Sequence, residues 1–147
     1  MDQYESSIAR ACLELGGILY LYEDNVPENF MVPSLYFPAP SVFPSASTLG
    51  SYQSCYSIYA NVFAATKREA EKLAEKIVQG IMLKKCLLPV FEENGTDSGK
   101  VIKLDPPSSR GIDEGMAQIT LTYCIIRAFT QTKSAGVESM NINKNYD

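Results

Sequence analysis

The sequence predicts an α+β domain: a mostly antiparallel sheet with two long strands and helices packed on one of its faces. Three observations carry this. Tyr52–Phe63 alternates with period two, placing Tyr52, Tyr56, Ile58, Ala60 and Val62 on one side. It feeds directly into an amphipathic stretch, Thr66–Leu83, whose Ala70, Leu73, Ala74, Ile77 and Ile81 form a single stripe. Gly115–Gln131 alternates again, setting Ala117, Ile119, Leu121, Tyr123 and Ile125 against Gln118, Thr120, Thr122 and Cys124.

Each element follows from local chemistry. Asp2–Leu15 reads as a helix, with Tyr4, Ile8, Ala11, Cys12 and Leu15 on one face, and Gly16-Gly17 stops or bends it. Ile18–Tyr22 either extends that helix or forms a short strand. Glu23–Glu28 is a polar turn. Four prolines between Val32 and Pro44 forbid a helix and a central strand. Leu35–Phe37 is therefore expected as a short edge strand, followed by a Pro/Ser-rich excursion, 38–51, without regular structure. Phe37, Val42, Phe43 and Leu49 would be costly to leave in water, so they either cover the core or dock onto another chain.

Thr66 and Glu69 make a capping box, which puts the strand-to-helix switch at Ala64–Thr66. The helix's outer face carries Lys67, Arg68, Glu71, Lys72, Glu75 and Lys76, the mixed charge of a solvated surface. Cys86–Phe91 reads as a strand that Pro89 confines to an edge. Glu92–Lys100 is a hairpin-like loop, Val101–Leu104 a short strand, and Asp105–Glu114 a second loop. Residues 1–131 form one domain, and 132–147 a polar tail. The expected core includes Ile58, Val62, Leu73, Ile77, Ile119 and Leu121.

The composition narrows the function. The chain has 147 residues, 46% hydrophobic and 20% charged, which suits one domain with a real core. It has no histidine. That removes the commonest general base, the usual partner of a Ser or Cys nucleophile and the commonest metal ligand. A net charge of −4 argues against binding nucleic acid through its phosphates. Cys12, Cys55, Cys86 and Cys124 lie far apart in apolar or strand-like settings, and read as four buried free thiols in a reduced compartment. The N-terminus lacks the pattern of a signal peptide, and no apolar run approaches the length of a membrane span.

Motifs for chemistry are missing. Neither phosphate-binding glycine pattern is present, nor a nucleophile elbow. Glu92–Gly99 lacks the alternating ligands and closing Glu of a calcium loop. Asp113-Glu114 beside Arg110 fits a solvated turn better than a catalytic pair. The expectation is a protein that is not an enzyme and has no catalytic residues, cofactor or metal. Geometry supplies the rest. A 12-residue strand spans about 40 Å, and one of about 16 residues more than 50 Å. A globule of this size is about 38 Å across. Both long strands outrun the core they cover, and their far ends invite pairing with another chain. The expected interface comprises Phe37, Val42, Phe43, Tyr59, Arg127 and Phe129.

Tyr59-Ala60-Asn61-Val62-Phe63-Ala64-Ala65-Thr66, running into Glu69-Ala70-Glu71-Lys72-Leu73-Ala74-Glu75-Lys76-Ile77, resembles the tail terminator (tail completion) proteins of long-tailed bacteriophages. The Pro-containing strand Pro33–Pro38 and the long final strand Gly115–Phe129 fit the same pattern. The similarity covers most of residues 1–131 and is one of topology rather than of invariant motifs. It implies a hexameric ring that caps the tail tube and joins it to the head–tail connector. DNA would pass through its centre without sequence-specific binding. The implied partners are other copies of the chain, the tail tube protein and a connector or neck protein. The implied location is the head-proximal end of the tail in the virion, after synthesis in the host cytoplasm. Another neck protein and an unrelated small ligand-binding domain are the competing readings.

Overall fold

The computed structural model describes residues 1–45 and 48–129. In chain order these form α1 (Gln3–Gly16), β1 (Tyr20–Tyr22), β2 (Ser34–Tyr36), β3 (Ser41–Ser45) and β4 (Ser51–Phe63). There follow α2 (Lys67–Leu83), β5 (Leu87–Phe91), β6 (Asp97–Lys103), β7 (Ser108–Asp113) and β8 (Met116–Ala128). The boundary at residue 131 and the tail 132–147 lie outside the described residues.

β4 and β8 pair antiparallel along their full 13 residues, from Ser51↔Ala128 to Phe63↔Met116. At about 3.3 Å per residue this ribbon is about 43 Å long. The main sheet runs β1-β2-β4-β8-β7, and β3 lies alongside β4 beyond β2. Every pairing is antiparallel except β1–β2, so the fold is α+β with a mostly antiparallel sheet. A separate hairpin, β5–β6, packs on α1.

The core lies between this sheet and the two helices. Ile58, Ala60 and Val62 of β4 face the same side as their partners Leu121, Ile119 and Ala117 of β8, and all six are fully buried. Ile8 and Cys12 of α1, Ile77 and Ile81 of α2, and Leu88 and Leu104 belong to the same cluster. Asp2 caps α1, its carboxylate accepting from the Glu5 N–H at 2.8 Å. Thr66 caps α2 by accepting from the Glu69 N–H at 3.2 Å. Both helices end in the same closing motif, a residue in the left-handed region with its paired backbone bonds. Gly17 supplies that residue in α1, and Lys85, at φ +59°, in α2.

Several elements depart from the sequence expectation. β2 is not an edge, because β1 pairs with its outer side in parallel. Pro33 and Pro38 sit outside its three residues, so neither costs a ladder bond. The excursion 38–51 contains a strand, β3, in which Pro44 is tolerated because the strand borders β4 on one side only. The expected loop Asp105–Glu114 also contains a strand, β7, which ends the sheet beside β8 and lacks apolar alternation. Leu73 is half-buried rather than part of the core, because α2 turns it toward an open cleft. The four cysteines are not all free. The β4–β8 register sets Cys55 against Cys124, and the two are joined as a disulfide with Cα atoms 4.0 Å apart. Cys12 and Cys86 are free and buried.

Candidate assembly interface

The two faces of the β4–β8 ribbon differ in kind. One carries the core. The other presents Tyr59, Asn61, Thr120, Thr122 and Cys124, the outward set of the same alternation. Ser57 and Thr122 hydrogen-bond across it at 3.0 Å. Where the ribbon outruns the helices, the alternation changes character. Ile126, on the outward face, is 70% exposed, and Arg127 takes the position on the helix side where an apolar residue would continue the core.

Arg127 is held in place by its neighbours. Its Nε donates to Ser54 Oγ at 3.2 Å and a terminal nitrogen donates to the Tyr56 hydroxyl at 2.7 Å. That bond to Tyr56 holds the guanidinium above its ordinary pKa, in its charged form. Tyr56 stacks on Tyr123 with ring centres 5.0 Å apart, and Tyr52 meets Phe129 at 5.3 Å. Tyr123 is fully buried, and its hydroxyl finds no hydrogen-bond partner among the described residues. Burial raises its pKa, helped by the charges of Asp2 and Glu5, so the phenol stays protonated. Desolvation, then the neighbouring Asp2, raises the Glu5 carboxyl.

The expected interface residues divide. Val42 (60% exposed) and Phe43 (44%) lie on β3, whose outer edge has no partner strand among the described residues. Tyr59, Arg127 and Phe129 are exposed along the ribbon. Phe37 is only 2% exposed and belongs to the core. Leu49, which the sequence grouped with Val42 and Phe43 as covering the core or a partner, is strongly exposed, and so is Ile126, which it did not single out. Ile126 had a legible signal: it is an apolar residue on the polar side of the last strand's alternation.

The groups that the sequence weighed for chemistry serve local structure. No three His, Cys, Asp or Glu side chains converge as a metal site. The Glu92–Gly99 loop uses its side-chain oxygens locally: Asn94 accepts from Thr96, and Asp97 from the Gly99 N–H. Asp113 likewise accepts from the Glu114 N–H, as a turn does. Burial pushes the Cys12 thiol up to about 12, which makes it inert. Two clefts stand out. One, of about 400 Å³, has an apolar floor of Val32, Pro33, Ala64, Ala65 and Leu73, rimmed by Lys72, Lys76 and Glu69. The other, of about 500 Å³, lies by the start of α1, where Arg10 sits 3.8 Å over the Phe91 ring. No helix among the described residues is long and apolar enough to cross a membrane.

Comparison with known proteins adds relatives. No family model matches the chain. It is 25% identical over 123 residues to the phage-like element PBSX protein XkdJ of Bacillus subtilis strain 168, covering 84% of each chain. A chain from the virion of a native gene transfer agent particle superposes with a TM-score of 0.46 at 11% identity, covering 84% of this chain and 92% of that one. The uncharacterized protein YqbJ of the same Bacillus strain is 30% identical over 103 residues, 70% of each chain. At that identity and coverage, the chain belongs to the family of YqbJ and is related to a protein of a phage-like element.

Proposed function

We propose that this chain is a structural protein of a phage-type particle, and that it works by assembling rather than by catalysis. The observation that carries the reading is the overhanging end of the β4–β8 ribbon. There Val42, Phe43, Leu49, Ile126 and Phe129 are exposed beside a strand edge that is unpaired among the described residues. A monomer that leaves such an edge open risks uncontrolled pairing, and a protein that assembles uses it. The relationship to XkdJ supports a phage setting. A virion location and a non-enzymatic role follow from the same reading.

The finer role is the tail terminator: a six-fold ring that closes the tail tube and meets the connector or neck protein above it, with DNA in its lumen. The length of the ribbon supports it, since a ring contact is heterologous and lets one subunit's edge meet another's sheet. The net charge of −4 fits a lumen through which DNA slides without sticking. The ligand-binding reading is weaker. The apolar cleft is open and lacks the convergent polar groups that fix a small ligand.

The test is mass measurement of the purified chain, alone and mixed with tail tube protein. A higher-order species of a few or more copies, formed alone or on the tube, supports the proposal. A chain that stays monomeric and unbound in both samples contradicts it.

A further inference from the structure

We propose that Cys124 is a thiol–disulfide exchange site through which small thiols open and close the clasp between the two long strands. The geometry separates the four sulfurs clearly. Cys124 is exposed on the face that neither α1 nor α2 covers, whereas Cys55, its partner, is only 4% exposed between β3 and β8. Cys12 is shut in the core, and Cys86 is buried against the Met82 sulfur at the end of α2. An incoming thiolate therefore has one accessible sulfur to attack, and access governs which sulfur is attacked.

The chemistry balances without an unnamed reagent. A low-molecular-weight thiolate attacks Cys124 Sγ, forming a mixed disulfide there and expelling Cys55 as thiolate, which takes up a proton. A second small thiolate attacks the outer sulfur of that mixed disulfide, releasing Cys124 and one small disulfide. In sum, two small thiols are oxidised and the Cys55–Cys124 pair gains two electrons and two protons. With a small disulfide as oxidant the same steps run backward and close the clasp.

The position gives the exchange a consequence. The clasp joins residues 69 apart in sequence, at the point on the ribbon where helix cover ends. Beyond it, the strand ends are tied by the Arg127 bonds to Ser54 and Tyr56, the Tyr52–Phe129 contact and the edge strand β3. Opening it removes the covalent tie and leaves the overhanging end to those noncovalent contacts alone, while the core pairs Ile58↔Leu121 and Ala60↔Ile119 stay in place. This inference does not depend on the ring.

The test uses the full chain after oxidation with glutathione disulfide. Brief exposure to reduced glutathione in native buffer, then alkylation and trypsin, reads the mixed disulfide directly, because Gly111–Arg127 carries Cys124 as its sole cysteine. The expected result is an adduct on Cys124 about tenfold or more above that on Cys55. On full reduction, backbone hydrogen exchange should speed up at residues 51–55 and 124–128 and stay unchanged at 58–62. As a second arm, Cys55→Ser should leave a thiol that reacts quickly with glutathione disulfide, and Cys124→Ser one that reacts slowly. Equal adducts on both cysteines, attack on Cys12 or Cys86 at the same rate, or an oxidised sample that still holds four free thiols would each overturn the proposal.

Discussion

Replacing Tyr123 with Phe should make this protein more stable. Tyr123 is fully buried at the centre of the sheet, and its hydroxyl has no hydrogen-bond partner among the described residues. A buried polar group without a partner costs about 1–3 kcal/mol of desolvation. Tyr123→Phe removes that cost and keeps the ring, including its stacking on Tyr56 at 5.0 Å and its contact with Tyr4 at 6.2 Å. The missing oxygen forfeits a few dispersion contacts of about 0.1–0.2 kcal/mol each, so the net gain is about 1 kcal/mol. With a urea slope of about 2 kcal/mol/M, the midpoint should rise by about 0.5 M, and Tm by about 2–4 °C. Tyr56→Phe is the control. Its hydroxyl accepts from Arg127 near the surface, so its loss should cost about 0.5–1 kcal/mol. If Tyr123→Phe lowered the midpoint while Tyr56→Phe left it unchanged, the hydroxyl would have a partner and the reasoning would fail.

Three further outcomes follow from the backbone and from one carboxyl. Gly115 sits at φ +72°, and a Cβ there would lie 2.8 Å from the Ala64 carbonyl oxygen, so Gly115→Ala should cost about 1–3 kcal/mol in urea unfolding. Lys85 holds at the end of α2 the left-handed position that Gly17 holds at the end of α1, and Lys85→Gly should gain about 1 kcal/mol by thermal or urea unfolding. Glu5's carboxyl is raised in the folded chain, so the folded state binds its proton more readily than the unfolded one. Stability should therefore fall as pH rises from the ordinary carboxylate range through the raised value, and the penalty should persist above it. Glu5→Gln should flatten that slope in a urea series across pH 4–7, and an unchanged slope would assign it to another group.

Much of the fold was legible because the long elements obey one period throughout. The alternation in 52–63 and 115–131 and the stripe in 66–83 each had a single consistent solution, and Thr66 marked the switch between them. β3 and β7 were hidden for a shared reason: both border the sheet, are mostly exposed, and carry Pro, Ser or Gly instead of alternating apolar residues. Nothing local separates such a strand from a loop; its pairing comes from the neighbour. The disulfide was hidden because it depends on register. Cys55 and Cys124 were visible on two long strands, but a slip of two residues would part them. Of the residues expected at an interface, Val42, Phe43 and Phe129 are exposed. Phe37 went the other way, since the sequence left open whether that aromatic covers the core or a partner, and it covers the core.

The central claim is that the overhanging sheet end exists to be covered by other copies in an assembled particle. The most direct measurement is imaging of phage-type tails assembled in cells that express this chain, with the chain located by density or label. The expected result is a closed ring of copies, six by the finer reading, at the head-proximal end of the tube. Absence of the chain from that end, or its presence there as a single copy, would contradict it.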